Sequence, residues 1–415
     1  MILDTLLAAF SIIFAAYTVR HLIFVGVVAL KKDSRADFQG HAGLFLPTAT
    51  IIIPARNEER VIGRILQRIT SLTYPREKLD VIVVDDNSSD STGLLLDEFV
   101  KGHRNFHVIH RVQGGQGKSN CLNAALPHAT GEMVVVFDAD YYPQLDLVEK
   151  LVCYFVDPQV AIAQGRVTVL NERESIVTRL VALERTSGYV VDQVARDRLD
   201  LTPQYAGTVA AIRRTFLQNS GGWDEDILAE DTDMTLKAVT GGWKVRYTTV
   251  AESYEEAVSS WRAYRKQRRR WAYGHTQCAL KHLVPVASTR HLNLRQKVDA
   301  FLLMGVYMVP FLVALGWILG AMVVLSGSPF ISPVVIAAQV IFLFGTVGNF
   351  APFFEVVCSM RLDGRRMHPR DLFVLAIGFV FNVVISADAL VSLLKDKLLG
   401  KRLVWMPTVH TGSAR

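Results

Sequence analysis

A mostly parallel α/β sheet set between apolar helices is the fold this sequence predicts, on three observations. Short Val/Ile-rich runs alternate with helix-period segments through the middle of the 415-residue chain. Those runs are continuous in apolar residues, as strands covered on both faces are. Uncharged stretches long enough to cross a bilayer lie towards both ends, in keeping with a hydrophobic content of 50%.

The elements follow in chain order. Thr5 to Leu30 is apolar apart from Arg20 and His21. No cation precedes it and it is longer than the apolar core of a secretory signal, so residues 1–30 read as an uncleaved transmembrane anchor. Lys31, Lys32 and Arg35 come next and place the middle of the chain on the cytoplasmic side. "TATIIIPA" is a first strand, stopped at Pro54. "RNEERVIGRILQRITSL" then puts Val61, Ile62, Ile65, Leu66 and Ile69 on one helical face. "KLDVIVVDDNSSDST" is a second strand ending in acids and turn formers, "FHVIH" a third, and "GEMVVVFDADY" a fourth, within a domain over 48–250.

The ligand crevice of such a sheet lies at the carboxyl ends of its strands. Asp85, Asp86, Asp138 and Asp140 all fall there. In "FDAD" residues i and i+2 point the same way, so Asp138 and Asp140 can offer two hard oxygen ligands to one Mg²⁺ or Mn²⁺. "RVQGGQGKSN" is not a phosphate-binding P-loop, because Val112 stands where that motif needs glycine. It is a Gly turn ending in Lys118, either plain or placed to meet an anion. In "LAEDTDMTLKAV" the acids Glu230 to Asp233 either cap a helix or supply a general base.

"RKQRRRWAYG" lies in a concentrated basic stretch. Ala257 to Val298 holds ten Lys or Arg and no acid, against +6 for the whole chain, so the remainder sums to −4. On a helix, Gln267, Arg270 and Trp271 meet one site, and Tyr264, Trp271 and Cys278 share a stripe. Arg262, Arg265, Lys266 and Arg269 fall on the other side, which reads as an interfacial helix over 251–297 with its outer cations on anionic lipid headgroups. Within 298–394, Phe301 to Leu325 and Val334 to Phe354 are long enough to span a bilayer. Leu372 to Ala387 is shorter; with Asn382 and Asp388 it either lines a polar path or dips in without crossing. A tail occupies 395–415. The four cysteines stand far apart with no C-x-x-C pair, so neither a zinc site nor a disulfide framework is indicated. Acids at the strand ends repel a phosphate backbone, which excludes nucleic acid as a partner.

The order "PARNEE", "VVDDNSSDST", "GKSN", "FDAD", "AED", "QRRRW" resembles the membrane-bound processive glycosyltransferases of family 2, which include the cellulose, hyaluronan, chitin-oligosaccharide and poly-N-acetylglucosamine synthases. The resemblance covers Thr48 to His282. It implies a GT-A nucleotide-sugar-binding fold, inverting transfer from a UDP-sugar, and a growing polysaccharide acceptor passed through the membrane helices. Mg²⁺ or Mn²⁺ would be the cofactor. Membrane lipid and accessory membrane subunits would be partners, in a multi-pass protein of a bacterial-type inner (plasma) membrane with a cytoplasmic catalytic domain. The "AED" motif, single anchor and chain length lean towards UDP-GlcNAc.

Carried over by position, Asp86 contacts the uracil or ribose, with Pro54 and Glu58 nearby and Lys118 beside the nucleotide. Asp138 and Asp140 match the D-x-D motif, Asp140 as the direct metal ligand. Asp231 matches the base that deprotonates the acceptor hydroxyl, with Glu230 before it in the substrate site. Gln267, Arg270 and Trp271 match Q-x-x-R-W, with Arg270 at the diphosphate and Trp271 stacking the acceptor sugar. The chain departs from the pattern at Ala229, usually Thr or Gly, and in "RLVWMPTVHTG", where His410 stands near an expected arginine. The alternative is a non-processive transferase that puts one sugar on a membrane lipid. It shares these motifs except, typically, Q-x-x-R-W and the multi-span tail.

Overall fold

The computed structural model describes residues 2–30, 44–115, 117–325, 351–399 and 412. The Lys31–Arg35 cations, most of the expected span Val334–Phe354 and nearly all of the 402–412 segment lie outside them.

Among the described residues, eight strands form one sheet in the order β3-β2-β1-β4-β7-β6-β8-β5. They are β1 (Ala49–Ala55), β2 (Leu79–Asp85), β3 (Phe106–His110), β4 (Met133–Val136), β5 (Tyr142–Pro143), β6 (Val160–Val169), β7 (Ala210–Arg213) and β8 (Lys244–Glu255). β3, β2, β1 and β4 run parallel, as do β6 and β8. β7 lies antiparallel between β4 and β6, and β5 antiparallel on β8. The sheet outruns the expected boundary at residue 250, since β8 continues to Glu255.

Side-chain alternation divides the strands between two cores. Ile51, Ile53, Val81, Val83 and Val135 face one core, together with Ile62, Ile65, Leu66 and Ile69 of the helix Ile62–Thr70. Ile52, Ile82, Val84, Val134 and Val136 face the other, against Leu122, Trp223, Met234 and Leu236. Cys278, Val286, Ala300 and Met304 join that second core. The basic helix Trp261–Ser288 therefore packs directly on the catalytic domain.

Among the described residues, two helices are long and apolar enough to cross a membrane, Ile12–Leu30 and Pro369–Leu399. The expected crossing Phe301–Leu325 is broken instead: Leu294–Gly305 and the segment from Val309 meet at 77°. Pro310 accounts for the break, since its ring excludes the carbonyl four residues back from a helical ladder. Arg20 and His21, the polar residues inside the first apolar run, face protein. Arg20 pairs with Asp192 and Asp299 and lies over the Phe24 ring; His21 bonds Glu355. Pro369–Leu399 is a continuous helix, longer than the apolar run within it. Its Asn382 accepts from Tyr264 Oη and its Asp388 takes Arg269 Nε at 3.1 Å, so both polar residues face the basic helix.

Candidate active site

A cavity of about 550 Å³ runs from the carboxyl ends of β1, β2 and β4 to the apolar helices. Pro54, Glu58, Asp86, Lys118, Asp138, Asp140, Glu230, Asp231, Gln267, Arg270 and Trp271 all stand in its wall. Val306, Tyr307 and Pro310, at the break between two helices, also line it, with Asn382, Ile385 and Ser386 of Pro369–Leu399.

At the strand end, Asp86 is almost fully buried. Arg111 donates to its Oδ1 at 2.6 Å, the Gly115 N–H donates to its Oδ2 at 2.8 Å, and Arg56 stands at 3.5 Å. These donors fix the carboxylate plane at the crevice rim. Gly115 and Gly117 hold positive φ in the turn that leads to Lys118, which favours glycine at both. The Lys118 ammonium forms an ion pair with Asp138. Burial pulls Lys118 down, but Asp138, Glu230 and Asp231 outweigh it, and it stays above the ordinary lysine range.

Among the described residues, no three or more His, Cys, Asp or Glu are grouped so as to hold a metal ion. Asp138 and Asp140 line the cavity together, and a cation already sits on Asp138. Two carboxylates fit a hard divalent ion whose other ligands come from a diphosphate and water.

Glu230 and Asp231 open the helix Glu230–Thr240 one and two residues after the cap position. That cap is Ala229, whose side chain makes no capping bond, so neither acid is the N-cap. Asp231 Oδ1 accepts the Thr232 N–H at 2.6 Å. Thr232 Oγ1 lies 3.2 Å from His275 Nε2. Burial pushes His275 down to about 4, so its imidazole is neutral at neutral pH. Asp233 faces away from the cavity and ties this helix to the basic helix through Lys281 at 2.6 Å and His282 at 2.7 Å. Burial opposes its ionisation, but those two partners hold it well below the usual carboxylate range.

Burial and the neighbouring Asp231 push Glu230 up to about 7, against relief from Lys118 and Arg270. A raised carboxyl contributes stability fully below its ordinary value of 4.5 and loses it as pH rises through about 7. The ligand-free protein should therefore lose several degrees of melting temperature between those pH values. Glu230→Gln should flatten that slope in a thermal-shift series.

Trp271 stands in the wall, but guanidinium groups attend its ring. Arg268 lies 4.3 Å and Arg185 5.2 Å from the ring centroid. Arg185 is forked onto Glu255 at 2.6 and 3.0 Å, and Arg268 pairs with Glu184. Sequence reasoning missed all four partners. Arg268 was legible in principle, because it lies four residues after the buried Tyr264 on the same helical stripe. Two of the four outer cations have protein partners instead: Arg269 reaches Asp388 and donates to Ser392 Oγ at 2.8 Å, and Arg265 approaches Asp388 at 3.7 Å. They pack the basic helix against Pro369–Leu399.

Residues 47–274 match the family described as glycosyltransferase like family 2, which is more than half of the chain. The chain belongs to glycosyltransferase family 2. Among similar proteins, the "Probable glycosyltransferase YdaM" of Bacillus subtilis is 28% identical over 375 residues, 88% of this chain and 87% of that protein. The "Beta-monoglucosyldiacylglycerol synthase" of Trichormus variabilis is 29% identical over 411 residues, 95% of this chain and 83% of that protein. Among solved structures, the mannosyltransferase PcManGT from Pyrobaculum calidifontis, in complex with GDP-Man and Mn²⁺, superposes with a TM-score of 0.56 at 22% identity, over 85% of this chain and 99% of that one. This glycosyltransferase shares the GT-A fold with it, and apolar helices flank the sheet.

Proposed function

We propose that this family 2 enzyme transfers one sugar from a UDP-sugar to a hydroxyl of a membrane lipid, with inversion at the anomeric carbon. One observation carries the lipid reading: one cavity is lined both by Asp231 and by Val306, Tyr307, Pro310 and Ile385 of the apolar helices. A lipid resting among those helices presents its headgroup to the carboxylates. The relatives' names favour glucose as the sugar and diacylglycerol as the acceptor. A processive synthase is the second reading, supported by Gln267, Arg270 and Trp271 in the wall.

In this mechanism Asp86 orients the nucleoside, while Lys118 and Arg270 face the diphosphate. Asp138 and Asp140 would hold Mg²⁺ or Mn²⁺, which offsets the charge that develops on the leaving nucleoside diphosphate. Glu230 keeps its proton up to about pH 7. The base role goes to Asp231, the position that matches the family's catalytic aspartate and stands in the same wall. Its carboxylate takes the acceptor hydroxyl's proton as the oxygen attacks the anomeric carbon. The membrane helices hold the enzyme at the bilayer, with the catalytic domain on the cytoplasmic side.

The test is the purified protein in lipid nanodiscs with radiolabelled UDP-glucose, UDP-GlcNAc or UDP-GlcA, with and without diacylglycerol. The expected product is a lipid carrying one sugar, formed only when the acceptor lipid is present. A polymer made without added lipid would establish the processive reading instead.

A further inference from the structure

We propose that the N-terminal membrane helix positions the catalytic carboxylate, with Arg20 as the positioning residue; this rests on Asp231 being the base. A span that serves only as an anchor needs no arginine, and a buried arginine is costly in a bilayer. Here Arg20 is buried and joins three separate segments. It pairs with Asp192 and faces Asp299 at 3.4 Å, and Asp299 also faces Arg196 at 3.4 Å. The two cations and two acids cancel one another, so their arrangement sets geometry without leaving a net charge.

Asp192 closes a five-residue π-turn, Gly188–Asp192, in the helix that runs on to Arg198. Such turns cost stability and recur at functional sites. The next residue, Gln193, clamps the backbone of Gln204: its amide donates to the Gln204 carbonyl at 2.6 Å, and its Oε1 accepts the Gln204 N–H at 2.8 Å. The Gln204 side chain then donates to Thr232 Oγ1 at 2.8 Å. The Thr232 N–H donates to Asp231 Oδ1 at 2.6 Å. This series of contacts runs from the membrane helix to the base. It transmits position and moves no proton.

The test uses the full chain in nanodiscs, with the UDP-sugar and lipid that turn over in the screen above. Arg20→Gln and Gln204→Leu should each lower kcat about tenfold per inserted molecule, as a slightly misplaced base does. KM for the donor should stay within about twofold, because Arg20 is not in the cavity wall and the Gln204 amide is turned onto Thr232. Arg20→Lys, which keeps the charge, should recover part of the loss. The double variant should fall no further than the weaker single one, since both act through one path. Should Arg20→Gln fail to insert, Gln193→Leu replaces it in the cycle, because it leaves every contact of the first helix in place. Unchanged kcat per inserted molecule, or losses that multiply in the double variant, would overturn the proposal. Asp231→Asn run alongside separates the two readings: full activity there means the base assignment failed, whereas a dead Asp231→Asn with independent Arg20 and Gln204 effects means that the positioning role alone failed.

Discussion

Asp231→Asn should abolish sugar transfer while donor binding stays within a few-fold of the native enzyme. Asparagine fills the same volume, and its side-chain oxygen can still accept the Thr232 N–H that holds Asp231 Oδ1. What it cannot do is take a proton, and losing a general base costs about 10²–10⁴-fold in rate. The groups placed on the donor side, Asp86, Lys118 and Asp138, are untouched, so UDP affinity by calorimetry should hardly move. Near-normal turnover in a folded Asp231→Asn protein would reduce Asp231 to a favourable acid in the first turn of its helix.

Gly274→Ala should be nearly as damaging, although residue 274 carries no chemistry. A Cβ there would lie 2.6 Å from the Ala229 nitrogen, 2.8 Å from the Leu228 carbonyl carbon and 2.9 Å from the Ala229 Cβ. Two of these are backbone atoms that no rotamer change can clear. The basic helix and the Ala229 loop must part, at an overpacking cost of about 1–3 kcal/mol. That movement carries Glu230 and Asp231 with it, and a catalytic group displaced by about 1 Å loses on the order of 10²-fold. Gly63→Ala is the matching control: nothing lies within 4 Å of its Cβ position, and alanine favours the helix it sits in. Equal kcat and melting temperature for the two variants would show that this contact has slack.

The first four strands were legible because each holds adjacent β-branched residues between turn formers and each pairs in parallel with another of the four. The far half of the sheet was not. β5 is only two residues, β7 reads AAIR with one β-branched residue, and β6 and β8, though 10 and 12 residues long, are interrupted by Gln, Gly, Arg and Glu. Asp86, Asp138 and Asp140 stood out because acids at strand ends make a pattern along the chain. Arg185 made none, because its meaning depends on Glu255, 70 residues away. Arg265 and Arg269 escaped notice for the same reason: Asp388 is remote in sequence, so both looked ready for lipid when each has a protein partner.

The ion pair of Arg20 bears on how the chain is made. Asp192 lies 172 residues downstream and Asp299 279 downstream, so the first helix leaves the ribosome with its arginine alone. At roughly 5–20 residues per second the wait for Asp192 is on the order of ten seconds or more. Insertion meanwhile works against a central charge worth about 2.5–3.5 kcal/mol. The nascent helix can shed that cost by letting the long side chain reach for the headgroups. In the proposed membrane placement, the arginine is neutralised only when the later segments arrive.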